Sequence, residues 1–126
     1  MDFKLLLETI MGLDKNIRFS LVYDLYGNVV DSKHREAEQN YLSEDETKDT
    51  LHYSAESWRV RNKHGKKIGR GKFAFVEYDK ICRLTLPLGE NRLLLVTADN
   101  KGNSFKMIEP IMNRISNPKW FSEIGS

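Results

Sequence analysis

Apolar residues recur at helical spacing at both ends of the chain. Over residues 2–13 they follow the i, i+3, i+4, i+7 pattern of an amphipathic helix, with Asp2 placed to cap its first amides. Residues 105–115 repeat this pattern. Proline has no amide hydrogen, so that final helix either begins near Pro110 or is kinked there, and Asn117-Pro118 ends it. The pattern predicts a helix at each end of the chain.

Between these helices the pattern changes to alternation with period two, which is typical of strands. We predict strands at residues 17–24, 71–78, 81–88 and 92–98, and a further strand that starts at Val29 after a turn at residues 25–28. Residues 93–96 are continuously apolar, which predicts a central strand covered on both faces. Residues 31–40 are charged and irregular, and we expect a loop there.

A long helix is predicted in the middle of the chain. Ser43 and Glu46 have the spacing of a capping box, in which each side chain bonds the other residue's amide. Leu51 and Trp58 share one face of the helix, which runs for about twenty residues, 43–62, as its periodicity indicates. Gly65 follows as a candidate left-handed cap.

The order helix, strand, strand, helix, three strands, helix predicts an α/β fold, more closely an α+β sandwich. We expect a five-stranded antiparallel sheet with helices on both faces, in one domain spanning residues 1–126. Residues 117–126 form a short aromatic tail that contains Trp120 and Phe121. These two side chains either fold back over a helix or anchor a partner.

Composition narrows the function classes. The chain has 20 basic and 18 acidic residues and a net charge of +2, which excludes a disordered polyelectrolyte and a histone-like coat for nucleic acid. No apolar run is long enough to cross a bilayer, and Met1-Asp2 does not open a basic signal region. A single cysteine cannot form an internal disulfide. We therefore expect a cytoplasmic protein with no membrane partner.

Two hairpins carry a resemblance to a known family. Residues 21–30 combine an apolar strand, an aspartate, a glycine turn and a second strand, and residues 84–97 form a further hairpin. With the element order, they resemble the roadblock/dynein-light-chain-like branch of the longin and profilin-like folds. Residues 17–28 and 58–97 are also similar to small archaeal cytosolic proteins.

The resemblance implies a non-enzymatic homodimer or heterodimer that regulates small GTPases or tethers signalling complexes. Protomers of this family pair through the long middle helix and the strand after it. Residues 71–78 are apolar on both faces, and an uncovered edge of that kind invites pairing. The predicted dimer interface comprises Leu51, Trp58, Phe73, Phe75 and Val76.

A basic segment offers an alternative function. Residues 59–72 carry seven cations and no acid, which favours either a patch for an anion, a nucleic acid or an acidic protein, or a solvated helix end. Aromatic residues are not interleaved with the cations, so single-strand recognition by base stacking is not expected. The cations of this patch are Arg59, Arg61, Lys63, Lys66, Lys67, Arg70 and Lys72.

Catalytic and metal chemistry have weak support in the sequence. The three histidines do not pair at helical spacing, and Cys82 alternates with apolar strand residues, as a core residue would. The carboxylates at residues 44–46 are explained by helix capping. We predict no catalytic residue, no cofactor and no metal. A small-molecule sensor is a third candidate, and it requires a cavity between the sheet and one helix layer.

Overall fold

The computed structural model describes residues 2–35 and 40–116 of the chain. Its helices and strands follow the predicted order, with one additional short helix and one 3-10 turn. In chain order the elements are α1 (Phe3–Met11), β1 (Ile17–Asp24), β2 (Val29–His34), α2 (Glu44–Lys63), α3 (Gly65–Ile68), β3 (Ala74–Glu77), β4 (Ile81–Leu88), β5 (Arg92–Asp99), a 3-10 turn (Ser104–Met107) and α4 (Ile108–Ile115).

The five strands form one antiparallel sheet in the order β2-β1-β5-β4-β3. Strand β5 is central, as its continuous apolar run predicts, and β2 and β3 are the two edges. The mixed α/β class with helices flanking a five-stranded antiparallel sheet is confirmed.

The sheet separates two hydrophobic cores. On one face, α1 and α4 cover Leu94 and Val96 of the central strand, together with inward side chains of β1 and β4. On the other face, α2 covers Leu93 and Leu95 and the β1 residue Tyr23. Alternation along β5 therefore sends successive side chains into different cores.

Helix α2 begins at the predicted capping box. The Glu46 amide donates to the Ser43 hydroxyl at 3.1 Å, and the Ser43 amide donates to the Glu46 carboxylate at 2.9 Å. These bonds hold the pKa of Glu46 below its ordinary value. Three residues of the helix, Leu51, Ala55 and Trp58, are buried against the sheet.

The β1–β2 turn fixes one end of the sheet against α2. Asp24 accepts hydrogen bonds from the amides of Tyr26 and Asn28, each at 2.9 Å. Gly27 has a φ of 89°, and a Cβ at this position would lie 2.9 Å from Nδ1 of His52. The turn needs glycine both for its backbone angle and for its approach to the helix.

The two edge strands differ most from their predicted bounds. Strand β2 continues to His34 through residues for which we expected a loop. The sequence pattern missed this part of the strand because an edge strand exposed on both faces shows no apolar alternation. Strand β3 starts at Ala74 and not at Gly71. A Cβ at Gly71 would lie 2.8 Å from Cζ3 of Trp58, so the chain passes over the indole ring before it joins the sheet.

The helix ends also differ in detail. Gly65 begins α3, and the positive φ that we expected there occurs at Gly69, at 90°. Pro110 lies in the first turn of α4, where its missing amide hydrogen breaks no helical bond. The predicted aromatic tail lies outside the described residues. Within those residues, no helix is both long and apolar enough to cross a bilayer.

Candidate functional site

A groove runs between α2 and the β3 edge of the sheet. We call it the α2–β3 groove, and its volume is about 330 Å³. Its walls combine the α2 side facing β3 with the inward face of β3 and part of β4. The lining residues are Asp49, Thr50, Tyr53, Ser54, Ser57, Arg61, Ala74, Val76, Tyr78, Arg83 and Thr85.

The edge strand beside this groove exposes apolar side chains. Val76 is 49% exposed and Tyr78 is 51% exposed, and both line the groove. Tyr78 donates its amide to the Ile81 carbonyl at 2.8 Å. Because bonding alternates along an antiparallel strand, the amides of Phe75 and Glu77 face away from β4. The edge therefore offers both backbone groups and apolar surface to another chain.

Charges of opposite sign stand at the two ends of the same groove. Asp49 lies near the start of α2 and Arg61 near its end, and both are exposed. Twelve residues separate them, which is about 18 Å along a helix. Tyr53, which is 74% exposed, lies between them on the groove side.

The structure corrects part of the predicted dimer interface. Leu51 and Trp58 are each 1% exposed and belong to the core beneath α2, so they do not lie on the outer surface that a second protein would contact. Phe75 is half-buried and contacts Phe105 on the opposite face of the sheet, with ring centroids 5.1 Å apart. Helical periodicity predicted that Leu51 and Trp58 face a common surface, but that surface is the chain's own sheet.

The arginines of the predicted basic patch contact other groups of the chain. The Arg59 guanidinium lies 5.0 Å from the Tyr26 ring centre and donates to the Leu25 carbonyl. Arg61 lies over Trp58, at 4.9 Å.

Farther along the same segment, Arg70 donates to the Gly89 carbonyl. The four lysines of the segment are exposed. They are Lys63, Lys66, Lys67 and Lys72. The three arginines thus have partners within the chain, and the lysines point to solvent.

A second and larger cavity lies beneath the start of α2, on the β1–β2 side. We call it the Thr97 cavity, and its volume is about 590 Å³. Thr50 and Arg83 line both this cavity and the α2–β3 groove. The apolar periodicity of the sequence does not predict this cavity. The only sequence indication is a polar pair, Thr97 and Arg83, at inward positions of β5 and β4.

Burial shifts the pKa of two groups near these sites. The Tyr23 hydroxyl lies 2.6 Å from the Ser54 hydroxyl, and burial raises the pKa of Tyr23 to about 12. Burial lowers the pKa of Arg83 below the ordinary arginine value. Arginine nevertheless stays charged at neutral pH, so Arg83 is a cation held between the sheet and α2.

The described residues offer little metal or nucleophile chemistry. Among residues 2–35 and 40–116, no group of three or more histidine, cysteine, aspartate or glutamate side chains is placed to hold a metal ion. Cys82 is buried, with its Sγ 3.7 Å from Sδ of Met107, and burial raises the pKa of its thiol. A raised pKa keeps the thiol protonated and unreactive.

The fold is similar to several solved structures. Gliding protein MglB from Thermus thermophilus superposes with a TM-score of 0.72 at 16% identity, covering 90% of this chain and 82% of that chain. A roadblock/LC7 domain from Streptomyces avermitilis gives 0.64 at 12% identity, covering 96% and 98%. MglC from Myxococcus xanthus gives 0.59 at 16% identity, covering 91% and 97%.

These likenesses concern the fold, because the identities are low. The sequence matches no protein-family model and no curated protein. The chain has a roadblock-like fold, as the element order and the two hairpins predict.

Proposed function

We propose that this chain is a non-catalytic regulatory adaptor that forms a homodimer through β3 and the α2–β3 groove. The observation that carries the proposal is the free edge of β3, where Val76 and Tyr78 are half exposed beside the groove. An apolar edge with free backbone groups is an aggregation risk, and pairing with a second copy removes it.

The charges along α2 make the groove complementary to itself. In a two-fold dimer with antiparallel α2 helices, Asp49 of each copy faces Arg61 of the other. The midpoint between these residues is position 55, so Tyr53 of one copy meets Ser57 of the other. A two-fold interface requires this reciprocal arrangement. The proposed interface therefore keeps Phe73 and Val76 and replaces Leu51 and Trp58 with exposed groove residues.

The dimer, as a single-domain protein in the cytoplasm, would bind a protein partner of the small GTPase class. This part of the proposal follows the resemblance to the roadblock family. It is supported by the roadblock-like fold and by the exposed outer surface of α2, which a second copy on β3 leaves accessible in part.

Light scattering during size-exclusion chromatography tests the homodimer. The native chain should have twice the monomer mass at micromolar concentration, and Val76→Lys should be monomeric. Val30→Lys is the matched control, because Val30 is 45% exposed on the other edge strand. A monomeric native chain, or equal effects of the two substitutions, would reject the proposed interface.

Charge exchange tests the register of the dimer. Asp49→Arg alone and Arg61→Asp alone should each weaken dimerisation, since each places like charges together. The double variant should regain it. If the double variant stays as weak as the single variants, the antiparallel α2 arrangement is wrong.

Nucleotide-dependent capture tests the partner class. The tagged native chain is incubated with an extract of its own cells, loaded with either GDP or a non-hydrolysable GTP analogue, and bound proteins are identified by mass spectrometry. A GTPase retained in only one nucleotide state, and lost with Val76→Lys, supports the proposal. Retention that ignores the nucleotide would contradict it.

A further inference from the structure

The Thr97 cavity has a floor made by one row of residues across the sheet. Arg83 pairs with Thr97 between β4 and β5, Thr97 pairs with Phe19 between β5 and β1, and Phe19 pairs with His34 between β1 and β2. Paired residues share a face, so these side chains stand side by side under the start of α2. All four line the cavity.

One member of this row is a buried polar group with no hydrogen-bond partner in the part of the chain that the structure describes. Thr97 is 2% exposed, and its Oγ1 forms no hydrogen bond with the described residues. Buried hydroxyl groups are normally bonded, because leaving one unpaired is costly. Thr97 lines the cavity, and rotation about its Cα–Cβ bond would turn this buried hydroxyl towards a ligand on the cavity floor, to which it can donate a hydrogen bond.

Its cross-strand neighbour, Arg83, is a cation with no carboxylate partner among the described residues. Nη2 of Arg83 donates to Oγ1 of Thr50 at 3.1 Å, and no described carboxylate forms an ion pair with Arg83. Arg18, at the same cavity, is different, because it forms an ion pair with Asp99 at 2.7 Å. The guanidinium of Arg83 keeps further donors, in a planar arrangement that matches a carboxylate.

The remaining walls are mainly apolar. Their apolar residues are Phe19, Leu21, Val29, Tyr41, Leu42, Leu51 and Ile81, and their polar residues include Ser32, Asn40, Thr47 and Lys48. The volume of about 590 Å³ is in the range of sites for small organic ligands, which are also mostly apolar with a few fixed polar groups. Glu44 and Lys48 also line the cavity and their opposite charges offset each other, so Arg83 is the cation left for one anionic group.

We propose that the Thr97 cavity binds a small organic monocarboxylate. Its carboxylate contacts Arg83 and Thr97, and its apolar body lies against Phe19, Leu21 and Leu51. Two donors side by side suit the two oxygens of a carboxylate, and the apolar walls require more than an inorganic anion. This cavity shares Thr50 and Arg83 with the α2–β3 groove, but its test measures carboxylate binding directly and does not require dimerisation.

Titration followed by two-dimensional amide NMR tests the site. The probes are three carboxylates, benzoate, phenylacetate and octanoate, each compared with its own neutral amide. Inorganic phosphate is a fourth probe. We expect at least one carboxylate to shift the backbone N–H signals of Thr97 and Arg83 saturably. The corresponding neutral amide compound should bind at least about tenfold more weakly. Equal binding of acid and amide, tighter binding of phosphate, or no saturable shift with any carboxylate would each overturn the proposal.

Variants assign the contact. Thr97→Val keeps the side-chain shape and should weaken the bound carboxylate several-fold, and Arg83→Gln should weaken it more. Arg114→Gln is the control, because Arg114 is exposed on α4 across the sheet. If Arg83→Gln does not fold, Thr97→Val still decides the question, since undiminished binding by that variant would reject the site.

Discussion

The indole Nε1 of Trp58 donates a hydrogen bond to Oγ1 of Thr85 at 3.0 Å, and both groups are buried. This contact joins the middle of α2 to β4 across the second core. Trp58 is otherwise an apolar core side chain, so Thr85 satisfies its one polar group. The bond fixes the distance between α2 and the sheet at the inner end of the α2–β3 groove, which Thr85 also lines.

Thr85→Val should destabilise the protein by about 1–3 kcal/mol, because it leaves the indole N–H of Trp58 buried and unpaired. Urea unfolding followed by circular dichroism measures the change. In a Trp58→Phe background the same substitution should cost much less, since no donor is left without a partner. An equal cost in both backgrounds would mean that Thr85 stabilises the fold by another route.

Thr97→Val should stabilise the protein, in contrast to Thr85→Val. Thr97 is in the neighbouring strand, and its buried hydroxyl has no partner within residues 2–35 and 40–116, so replacing it by a methyl group removes a cost of about 1–2 kcal/mol. We expect the free energy of unfolding to rise, measured as for Thr85→Val under the same conditions and without added carboxylate. A loss of stability would show that the hydroxyl has a partner in solution.

Tyr23 should make stability fall at alkaline pH. Its folded pKa of about 12 is higher than the ordinary value of 10.0, so between these pH values the unfolded chain loses a proton that the folded chain keeps. Stability therefore falls as pH rises through this window, by about 2–3 kcal/mol from this group.

Tyr23→Phe has no ionisable group at this position. It is therefore the control for the effect on stability of the other groups that titrate at alkaline pH. From pH 10 to pH 12, the free energy of unfolding of the native chain should fall by more than that of Tyr23→Phe, as measured by urea unfolding at each pH. A constant difference would contradict the raised pKa.

Gly71→Ala should destabilise the protein by about 1–3 kcal/mol, because its Cβ would lie 2.8 Å from a ring carbon of Trp58. Thermal unfolding compares it with Gly65→Ala, whose Cβ would have no heavy atom within 4 Å. The control should be neutral or slightly stabilising, as expected for a glycine replaced in a helix. Equal effects would show that the segment before β3 moves away from Trp58 freely.

The sequence predicted the elements that have strong local patterns. The capping box of Ser43 and Glu46 located the start of α2, and alternation located β1, β4 and the central β5. Edge strands were predicted less well. Strand β2 has no buried residue, and the first residues expected in β3 are displaced by the Trp58 ring, which is a tertiary contact that local pattern does not contain.

The candidate sites were predicted only in part. An exposed edge at β3 follows from the strand order of the roadblock-like fold that the chain resembles, and Val76 is on that edge. Periodicity could not distinguish a partner from the chain's own sheet as the surface that Leu51 and Trp58 contact. The Thr97 cavity could not be predicted, because it depends on the pairing of Arg83 with Thr97 and on where α2 begins above them.

The position of Arg83 and Thr50 between the groove and the cavity has a thermodynamic consequence. Both residues line both spaces, so a second copy in the groove and a carboxylate in the cavity would act on the same guanidinium. If the carboxylate changes the dimer dissociation constant by some factor, dimerisation must change the carboxylate affinity by the same factor. A metabolite concentration would then set the fraction of assembled adaptor without any contact between the metabolite and the second copy.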